Sequence, residues 1–247
     1  MIMIDYHVHT YLCRHAEGDP QDYVNAAVEK GLKEIGIADH FPLETMGITP
    51  KTQVTMNEDE LETYFQMIRK ASQTGGISVK TGIELDYAPG KTEELAPVLE
   101  GYPFDYIIGS VHFMDDWDFT HPFFAGEFEE RSIEEVYERY FALVDEACRS
   151  GVIDIIGHID VVKKFNYRPE ERFLKPLYEE VAQVLKDTGV CLEVNTSGLD
   201  APVKEFYPDR ALLSRCIRKG VKIVLGSDAH SPTQVGRYFP LARDMLR

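Results

Sequence analysis

The N-terminal stretch Ile4-Asp5-Tyr6-His7-Val8-His9 places two histidines two residues apart, directly after a short apolar run. If residues 1–6 form a strand, the alternation of its side chains points His7 and His9 to the same side. Neutral imidazole is the commonest metal ligand in proteins, so this pair can supply half of a metal site. A single His-x-His also occurs by chance at solvated strand ends, and the remaining sequence has to separate the two interpretations.

The composition is typical of a globular protein with a strong acidic excess. The chain has 247 residues and a formal net charge of −16, and its length suffices for one large domain with a buried core. Such an acidic surface argues against nucleic acid and anionic membranes as partners. The apolar runs are too short to span a bilayer, and residues 1–5 are too short and too soon charged for a secretory signal. We therefore expect a cytoplasmic protein.

The four cysteines, Cys13, Cys148, Cys191 and Cys216, are widely spaced and form no Cys-x-x-Cys pair. Neither a thiolate zinc site nor a disulfide framework is therefore indicated. An anionic small substrate would be repelled by the acidic chain unless the site concentrates positive charge, which bound divalent metal would supply.

Short β-branched runs alternate with longer amphipathic runs along the chain. The predicted strands are 1–6, 34–38, 77–85, 106–111, 152–156, 190–194 and 221–225. The predicted helices are 20–30, 57–74, 92–99, 132–149, 170–188, 209–219 and about 238–246. This alternation predicts an α/β fold of parallel strands with helical crossovers, and about seven units can close a TIM-like barrel. An open doubly wound sheet is the alternative, although the first loop lacks a Gly-x-Gly-x-x-Gly fingerprint. No linker or repeat divides residues 1–247, which we expect to form one domain.

Metal-ligand residue types stand at nearly every predicted strand end. At the carboxyl ends, or on the same rim in the case of His15, lie His7, His9, His15, His40, Glu84, His112, His158, Asp228 and His230. The carboxyl ends of barrel strands form the active-site face, so these side chains are expected to converge. Imidazole and carboxylate ligands suit zinc, manganese and iron, and the set is too large for one ion, which indicates two or three. His121 lies well beyond a strand end, and we expect it away from this rim.

The ordered motifs resemble the polymerase-and-histidinol-phosphatase (PHP) superfamily, and most closely its monofunctional histidinol-phosphatases. The matching blocks are DYHVHT at 5–10, CRH at 13–15, ADH at 38–40, GIELD at 82–86, GSVHF at 109–113, GHID at 157–160, EVNTSGL at 193–199 and GSDAH at 226–230. The resemblance implies a distorted (β/α)7 barrel with a trinuclear site of zinc, iron or manganese. The implied ligand sets are His7, His9, Glu84 and Asp228 for the first ion; Glu84, His112 and His158 for the second; and His15, His40 and His230 for the third.

The resemblance also implies an activity, which is the hydrolysis of L-histidinol phosphate to L-histidinol and phosphate in histidine biosynthesis. We expect a metal-bridging hydroxide near Glu84 to attack phosphorus, with Asp228 and His230 managing protons. The cations expected to bind phosphate are Arg14, Lys163, Lys164 and Arg237. One departure concerns ester specificity, because Asp200 stands where family members often carry arginine.

Three other functions remain open at the level of sequence. The first is a PHP phosphoesterase that acts on nucleotides or other small phosphate esters. The second is an amidohydrolase-type metal hydrolase on a similar barrel, although the extra ligand types His15, His40, Glu84 and His112 argue against it. The third is a non-catalytic module that keeps the fold. The sequence leaves the oligomeric state open.

Overall fold

The computed structural model describes residues 3–73 and 75–246, so the ends of the predicted strand 1–6 and helix 57–74 lie partly outside the described residues. Within the described residues, the strands are β1 Ile4–Asp5, β2 Glu34–Ile37, β3 Ser78–Asp86, β4 Tyr106–Ser110, β5 Phe113–Met114, β6 Trp117–Asp118, β7 Ile155–Ile156, β8 Cys191–Asn195 and β9 Ile223–Gly226. The α-helices are α1 Pro20–Glu29, α2 Leu61–Ala71, α3 Lys91–Leu99, α4 Ile133–Arg149, α5 Glu171–Thr188, α6 Arg210–Lys219 and α7 Phe239–Met245.

Seven of the strands form one parallel sheet in the order β1-β2-β3-β4-β7-β8-β9. The sheet curls until its first and last strands meet, where the amide of Tyr6 donates to the carbonyl of Leu225 at 3.3 Å. The buried carboxylate of Asp5 closes the same seam, because it accepts from the amides of Ser227 and Gly236 at 2.9 Å each. The predicted TIM-like (β/α)7 barrel is therefore confirmed, and the open doubly wound alternative was wrong.

A single tyrosine fills much of the barrel interior near its amino-terminal end. The ring of Tyr106 on β4 reaches across the barrel, and its hydroxyl donates to the carbonyl of Tyr6 at 2.6 Å. Gly36 and Gly82 line its path, and a Cβ at either position would lie 2.0 Å or 2.3 Å from a Tyr106 ring or hydroxyl atom. Two glycines and one large side chain therefore satisfy the close packing that a barrel interior needs.

The helices cover the outside of the barrel with their apolar stripes, as their periodicity predicted. Val136, Tyr140 and Val144 of α4 are buried against the sheet. The Ser132 hydroxyl accepts from the amide of Glu135 at 3.4 Å, which is the first half of a capping box. Asp19 is the N-cap of α1, because its carboxylate accepts from two first-turn amides.

The sequence prediction missed one feature that shapes the site. Between β4 and α4, the antiparallel hairpin β5–β6 and a 3₁₀ segment at Pro122–Glu130 fold over the carboxyl-terminal face of the barrel. Trp117 and Phe128 anchor this insert, with their rings 4.6 Å apart and edge to face. Its strands are only two residues long, which is too short for a period-2 pattern to be visible in the sequence.

Candidate metal centre

The carboxyl ends of the barrel strands bring the predicted ligands together. Val8 forms a parallel bridge with Ala229, and His40 forms one with Glu84, so the chain keeps sheet pairing just beyond the regular strands. Because Val8 faces outward into the core, its neighbours His7 and His9 both point into the barrel mouth and are fully buried. Asp228 has a left-handed backbone with φ of 51°, which turns its carboxylate toward the same point.

Glu84 occupies the middle of this cluster, and each of its oxygens faces a different group of histidines. Its Oε2 lies 3.0 Å from His40 Nδ1 and 3.3 Å from His7 Nε2. Its Oε1 lies 3.0 Å from His158 Nε2 and also accepts from the Ser110 hydroxyl at 2.5 Å. A carboxylate with each oxygen directed to a different group of imidazoles could contribute to two donor sets at once.

The first donor set consists of His7, His9, Glu84 and Asp228. Asp228 Oδ1 lies 3.2 Å from His9 Nε2 and 3.9 Å from His7 Nε2. The Nε2 of His9 is also 3.5 Å from Glu84 Oε2. Four donor atoms of mixed nitrogen and oxygen character thus face a common centre, and they belong to the set that the resemblance implies for the first ion.

The second donor set, His112, His158 and Glu84, lies on the other side of the same carboxylate. The Nε2 atoms of His112 and His158 are 3.2 Å apart, and that of His112 is 3.7 Å from Glu84 Oε1. Two unprotonated ring nitrogens at this separation repel one another unless a proton or a cation lies between them.

The third donor set consists of His15, His40 and His230 at the outer edge of the cluster. The Nε2 atoms of His15 and His230 are 3.0 Å apart, and the His15 and His40 ring centres are 5.4 Å apart. Burial and neighbouring imidazoles lower the pKa of His15 and of His40, and they lower the pKa of His230 to about 3. These rings are therefore neutral at physiological pH, which is the form that binds metal.

The central carboxylates are ionised despite their burial. Burial alone would raise the pKa of Glu84, yet the cationic imidazoles of His7 and His112, whose own pKa values are raised by the surrounding carboxylates, hold it well below its usual range. The pKa of Asp228 is likewise held down, because the stabilisation by His7 and His9 outweighs desolvation. The centre therefore presents negative oxygens and ring nitrogens together, which is the donor chemistry that divalent metal ions prefer.

Several of these donor atoms have no hydrogen-bond partner in the described chain although they are buried. They are His7 Nε2, both ring nitrogens of His9, Glu84 Oε2 and the Nδ1 of His158. Buried polar groups almost always have a hydrogen-bond partner, so several unpaired polar atoms in one place require an explanation. A divalent ion among these atoms would pair most of them, so the residues present fit a metal centre.

Three buried carboxylates that the site prediction did not include hold the outer nitrogens of these histidines. The Nδ1 of His7 donates to Glu193 at 2.7 Å, and that of His112 donates to Asp86 at 2.9 Å. The Nδ1 of His9 lies 3.5 Å from Asp39. Such contacts fix the tautomer and orientation of a metal-binding imidazole. The sequence does contain a signal for such residues, which is a charged side chain inside an otherwise apolar strand, as for Glu193 in β8.

A cavity of about 460 Å³ opens above the histidine cluster. Lys164 and Arg237, both predicted to bind phosphate, line its wall. The Lys164 ammonium donates to the carbonyl of Thr120 at 2.9 Å, and burial lowers its pKa. Arg237 donates to the carbonyls of Ser227 and Asp228 at 2.9 Å each.

Two of the predicted phosphate-binding cations lie elsewhere. The Lys163 ammonium is fully buried, 2.8 Å from the Asp160 carboxylate, and it donates to the carbonyl of Phe206 at 2.8 Å. Consecutive residues of the short helix Val161–Lys163 and its cap point in different directions, which sends Lys163 into the core and Lys164 to the cavity. Arg14 is paired with Glu60 near the surface and does not line the cavity.

The prediction that His121 lies away from the rim was wrong. The hairpin β5–β6 carries His121 back over the barrel, where it lines the cavity beside His40 and His112. Its Nδ1 accepts from the amide of Phe123 at 3.2 Å and caps the 3₁₀ segment. The error follows from the missed insert, since distance along the chain was taken for distance from the site.

The fold and the site together define a TIM-like barrel with a divalent-metal donor cluster at the carboxyl ends of its strands. Within the described part of the chain, no helix has the length and apolarity to cross a membrane. The chain belongs to the PHP domain family, whose model matches residues 5–197.

Similar proteins cover nearly the whole chain. A Deinococcus radiodurans protein named "Probable histidinol-phosphatase" is 38% identical over 99% of this chain and 93% of its own length. The Bacillus subtilis histidinol-phosphatase is 31% identical over 94% of this chain and 95% of its own. A crystal structure of the Lactococcus lactis histidinol phosphate phosphatase, complexed with Zn, L-histidinol and phosphate, superposes with a TM-score of 0.81. It is 24% identical and covers 99% of this chain and 94% of that one, and it shows the shared fold.

Proposed function

We propose that this chain is a metal-dependent phosphomonoesterase that hydrolyses L-histidinol phosphate to L-histidinol and phosphate. The observation that carries the proposal is the convergence of buried, mutually facing imidazole and carboxylate donors around Glu84, at the base of a cavity that also holds two cationic side chains. Near-full-length similarity to proteins named histidinol-phosphatases supports the choice of substrate.

The three donor sets are proposed to hold two or three divalent ions, with zinc, iron and manganese as the candidates. His7, His9, Glu84 and Asp228 form the first set, Glu84 with His112 and His158 the second, and His15, His40 and His230 the third. When bound, such ions supply Lewis acidity, which neutralises charge on the phosphate and lowers the pKa of coordinated water. The cluster is compact enough for one phosphate group to contact several ligand sets at once.

The phosphate is proposed to be oriented by Lys164 and Arg237, which line the cavity above the cluster. Arginine and lysine stabilise the charge that phosphoryl transfer distributes over the equatorial oxygens. Lys163 and Arg14 are not assigned this role, because both are engaged in ion pairs outside the cavity.

The neighbouring pair Asp228 and His230, whose Oδ1 and Nδ1 atoms are 3.4 Å apart, is proposed to accept the proton that the attacking water loses and to pass it to the leaving alkoxide. Asp228 Oδ2 is fixed by hydrogen bonds from the Ser197 hydroxyl at 3.1 Å and the Asn195 amide at 3.3 Å. Glu84 is proposed to position the reacting groups through its central carboxylate. The protein thereby holds its acid–base groups rigidly beside the phosphate position, as general acid–base catalysis requires.

The proposal is tested by phosphate release from L-histidinol phosphate with protein of known metal content. Parallel reactions use p-nitrophenyl phosphate and a nucleoside monophosphate. We expect two to three ions per chain and a strong preference for L-histidinol phosphate. Turnover of the other two esters alone would retain a PHP phosphoesterase and reject the histidinol phosphate assignment, whereas hydrolysis of amide substrates alone would favour the amidohydrolase class.

A substitution at the bridging carboxylate tests the centre itself. Glu84→Ala is expected to lose bound metal and to abolish turnover while the far-ultraviolet circular dichroism spectrum stays native. Glu94→Ala is the matched control, because Glu94 is an exposed helical glutamate that does not line the cavity. Full metal content with normal turnover in Glu84→Ala would remove Glu84 from the proposed centre.

A further inference from the structure

An ion pair at the cavity wall joins two loops that follow different strands. Arg237 Nη1 donates to Asp200 Oδ2 at 2.9 Å, and the Tyr238 hydroxyl donates to Asp200 Oδ1 at 2.7 Å. Both Asp200 and Arg237 line the cavity. The carboxylate thus lies at the site, oriented through both of its oxygens, and it takes no part in the donor cluster below.

The guanidinium does not depend on Asp200 for its position. Its Nε donates to the carbonyl of Ser227 and its Nη2 to the carbonyl of Asp228, both at 2.9 Å. Arg237 itself is mostly buried, whereas the Asp200 side chain is 48% exposed. Removal of the carboxylate would therefore leave the guanidinium in place with its positive charge uncompensated. The contribution of Asp200 at this position is mainly one of charge.

We propose that Asp200 is a specificity-determining residue: by compensating the Arg237 charge at the cavity wall, it selects against phosphate esters that carry a second anionic group. The inference rests on the proposed phosphomonoesterase function and names the class of ester that the site takes. Phosphate monoesters of neutral or cationic alcohols are accepted, and those with a carboxylate or a further phosphate are disfavoured.

The charges around the cavity explain why one carboxylate has this effect. Lys164 and Arg237 are the lysine and arginine side chains among the described residues that line it, while Asp86, Asp118 and Asp200 contribute negative charge besides the cluster itself. The phosphate group would be held at the base by the cluster, with Lys164 and Arg237 beside it, so any second anion of the substrate would extend along the wall past Arg237. There it meets an arginine whose charge is already paired, in a chain with a net charge of −16.

The test uses two phosphonates that differ by a single carboxylate, 2-aminoethylphosphonate and 2-amino-3-phosphonopropionate. Phosphonates have no ester bond to hydrolyse, so their dissociation constants report binding without turnover. Calorimetric titration of metal-loaded wild-type protein is expected to show a preference for 2-aminoethylphosphonate. In Asp200→Asn, the ratio of the two dissociation constants should shift by about fivefold toward the carboxylated ligand, since one unit charge acts across a partly solvated cavity.

Two further variants separate a local effect from a general one. Glu179→Gln is the matched control, because Glu179 is also an exposed carboxylate paired with basic side chains, but it does not line the cavity. In Glu179→Gln, the ratio of the two dissociation constants should equal that of the wild type. Adding Arg237→Gln to Asp200→Asn should abolish the gain in relative affinity for the carboxylated ligand, because the uncompensated guanidinium produces that gain.

The inference is overturned by an unchanged ratio in Asp200→Asn, by an equal shift in Glu179→Gln, or by a gain that survives the loss of Arg237. Failure of both phosphonates to bind any variant would overturn it as well. The proposed function fails independently: wild-type protein that does not hydrolyse L-histidinol phosphate, yet shows the expected shift in phosphonate binding, would reject the substrate assignment and keep the role of Asp200.

Discussion

At the scale of single residues, the geometry of the centre depends on the groups that contact the Nδ1 atom of each imidazole, on the side away from the centre. His7 and His112 donate from Nδ1 to buried carboxylates, while the Nδ1 atoms of His15 and His230 face backbone carbonyls at 2.8 Å and 3.1 Å. In all four, Nε2 is the ring nitrogen that faces the shared centre. The carboxylate partners also raise the basicity of the ring, so His7 and His112 are expected to be stronger ligands than the outer pair.

Glu193, the carboxylate beside His7, makes two further hydrogen bonds. Besides the His7 ring, its other oxygen accepts from the amide of His158 at 2.8 Å and from the Asn195 side chain at 3.0 Å. Glu193→Gln replaces the charge by a neutral amide of the same size and should weaken metal affinity by about 10–100-fold. Titration against a metal-binding chelator measures this, with circular dichroism as a check of the fold.

Glu146→Gln provides the control for this substitution, because Glu146 is a partly exposed glutamate on α4 outside the cavity. It should keep wild-type affinity. If Glu193→Gln also kept wild-type affinity, the His7–Glu193 contact would be irrelevant to metal binding, and the orientation of His7 would have to come from the backbone alone.

The convergence of the donor residues could be predicted from sequence, whereas the choice of cations that line the cavity could not. A donor residue such as His40 or His158 follows a strand directly, and the barrel fixes where every strand ends. Lys163 and Lys164 are adjacent in the sequence and differ only in their direction from one short helical turn, which no pattern reveals. Glu193 was missed as a positioning residue because its partner, His7, is 186 residues away.

At the scale of elements, the alternation of strands and helices predicted the order and type of all seven barrel strands and helices. Strand bounds were less accurate: the predicted strand 152–156 pairs with its neighbours only at Ile155 and Ile156. Ile153, two residues before the paired segment, packs against the face of Gly109. The length of a pairing is set by the neighbouring strands, and a local apolar run does not contain that information.

The packing of Tyr106 inside the barrel leads to a prediction for Gly82 on β3. A Cβ at Gly82 would lie 2.3 Å from Cζ of Tyr106, so Gly82→Ala forces the tyrosine or the strand to move. Overpacking of this kind should lower the free energy of unfolding by about 1–3 kcal/mol. Urea denaturation in the presence of a chelator measures the change without a contribution from metal.

Gly126→Ala is the matched control, because a Cβ there meets no atom within 4 Å. It should leave the urea midpoint nearly unchanged. If Gly82→Ala were as stable as Gly126→Ala, the barrel interior would have to be looser than the Tyr106 contacts indicate, and the glycines at 36 and 82 would need another explanation.

At the scale of the whole molecule, the donor cluster connects the two ends of the barrel sheet. His7 follows the first strand and His230 follows the last, and ligands from β2, β3, β4 and β7 lie between them. Without a cation, the buried donor atoms of His7, His9 and Glu84 lack partners. The metal-free protein therefore carries a desolvation cost at the seam where β1 meets β9.

Metal removal should consequently destabilise the whole barrel in one cooperative transition. Ions present at about a thousand times their dissociation constant stabilise the native state by about 4 kcal/mol per site. For a chain of this size, each site filled in this way raises the melting temperature by roughly 10 °C above its value in chelator. Thermal unfolding followed by circular dichroism, before and after reloading with zinc or manganese, measures the difference in melting temperature.

Calcium should restore little of the lost melting temperature, because calcium prefers all-oxygen ligands. Recovery with calcium equal to that with zinc, or equal melting temperatures with and without metal, would mean that the histidine cluster folds without needing a metal ion to pair its nitrogens.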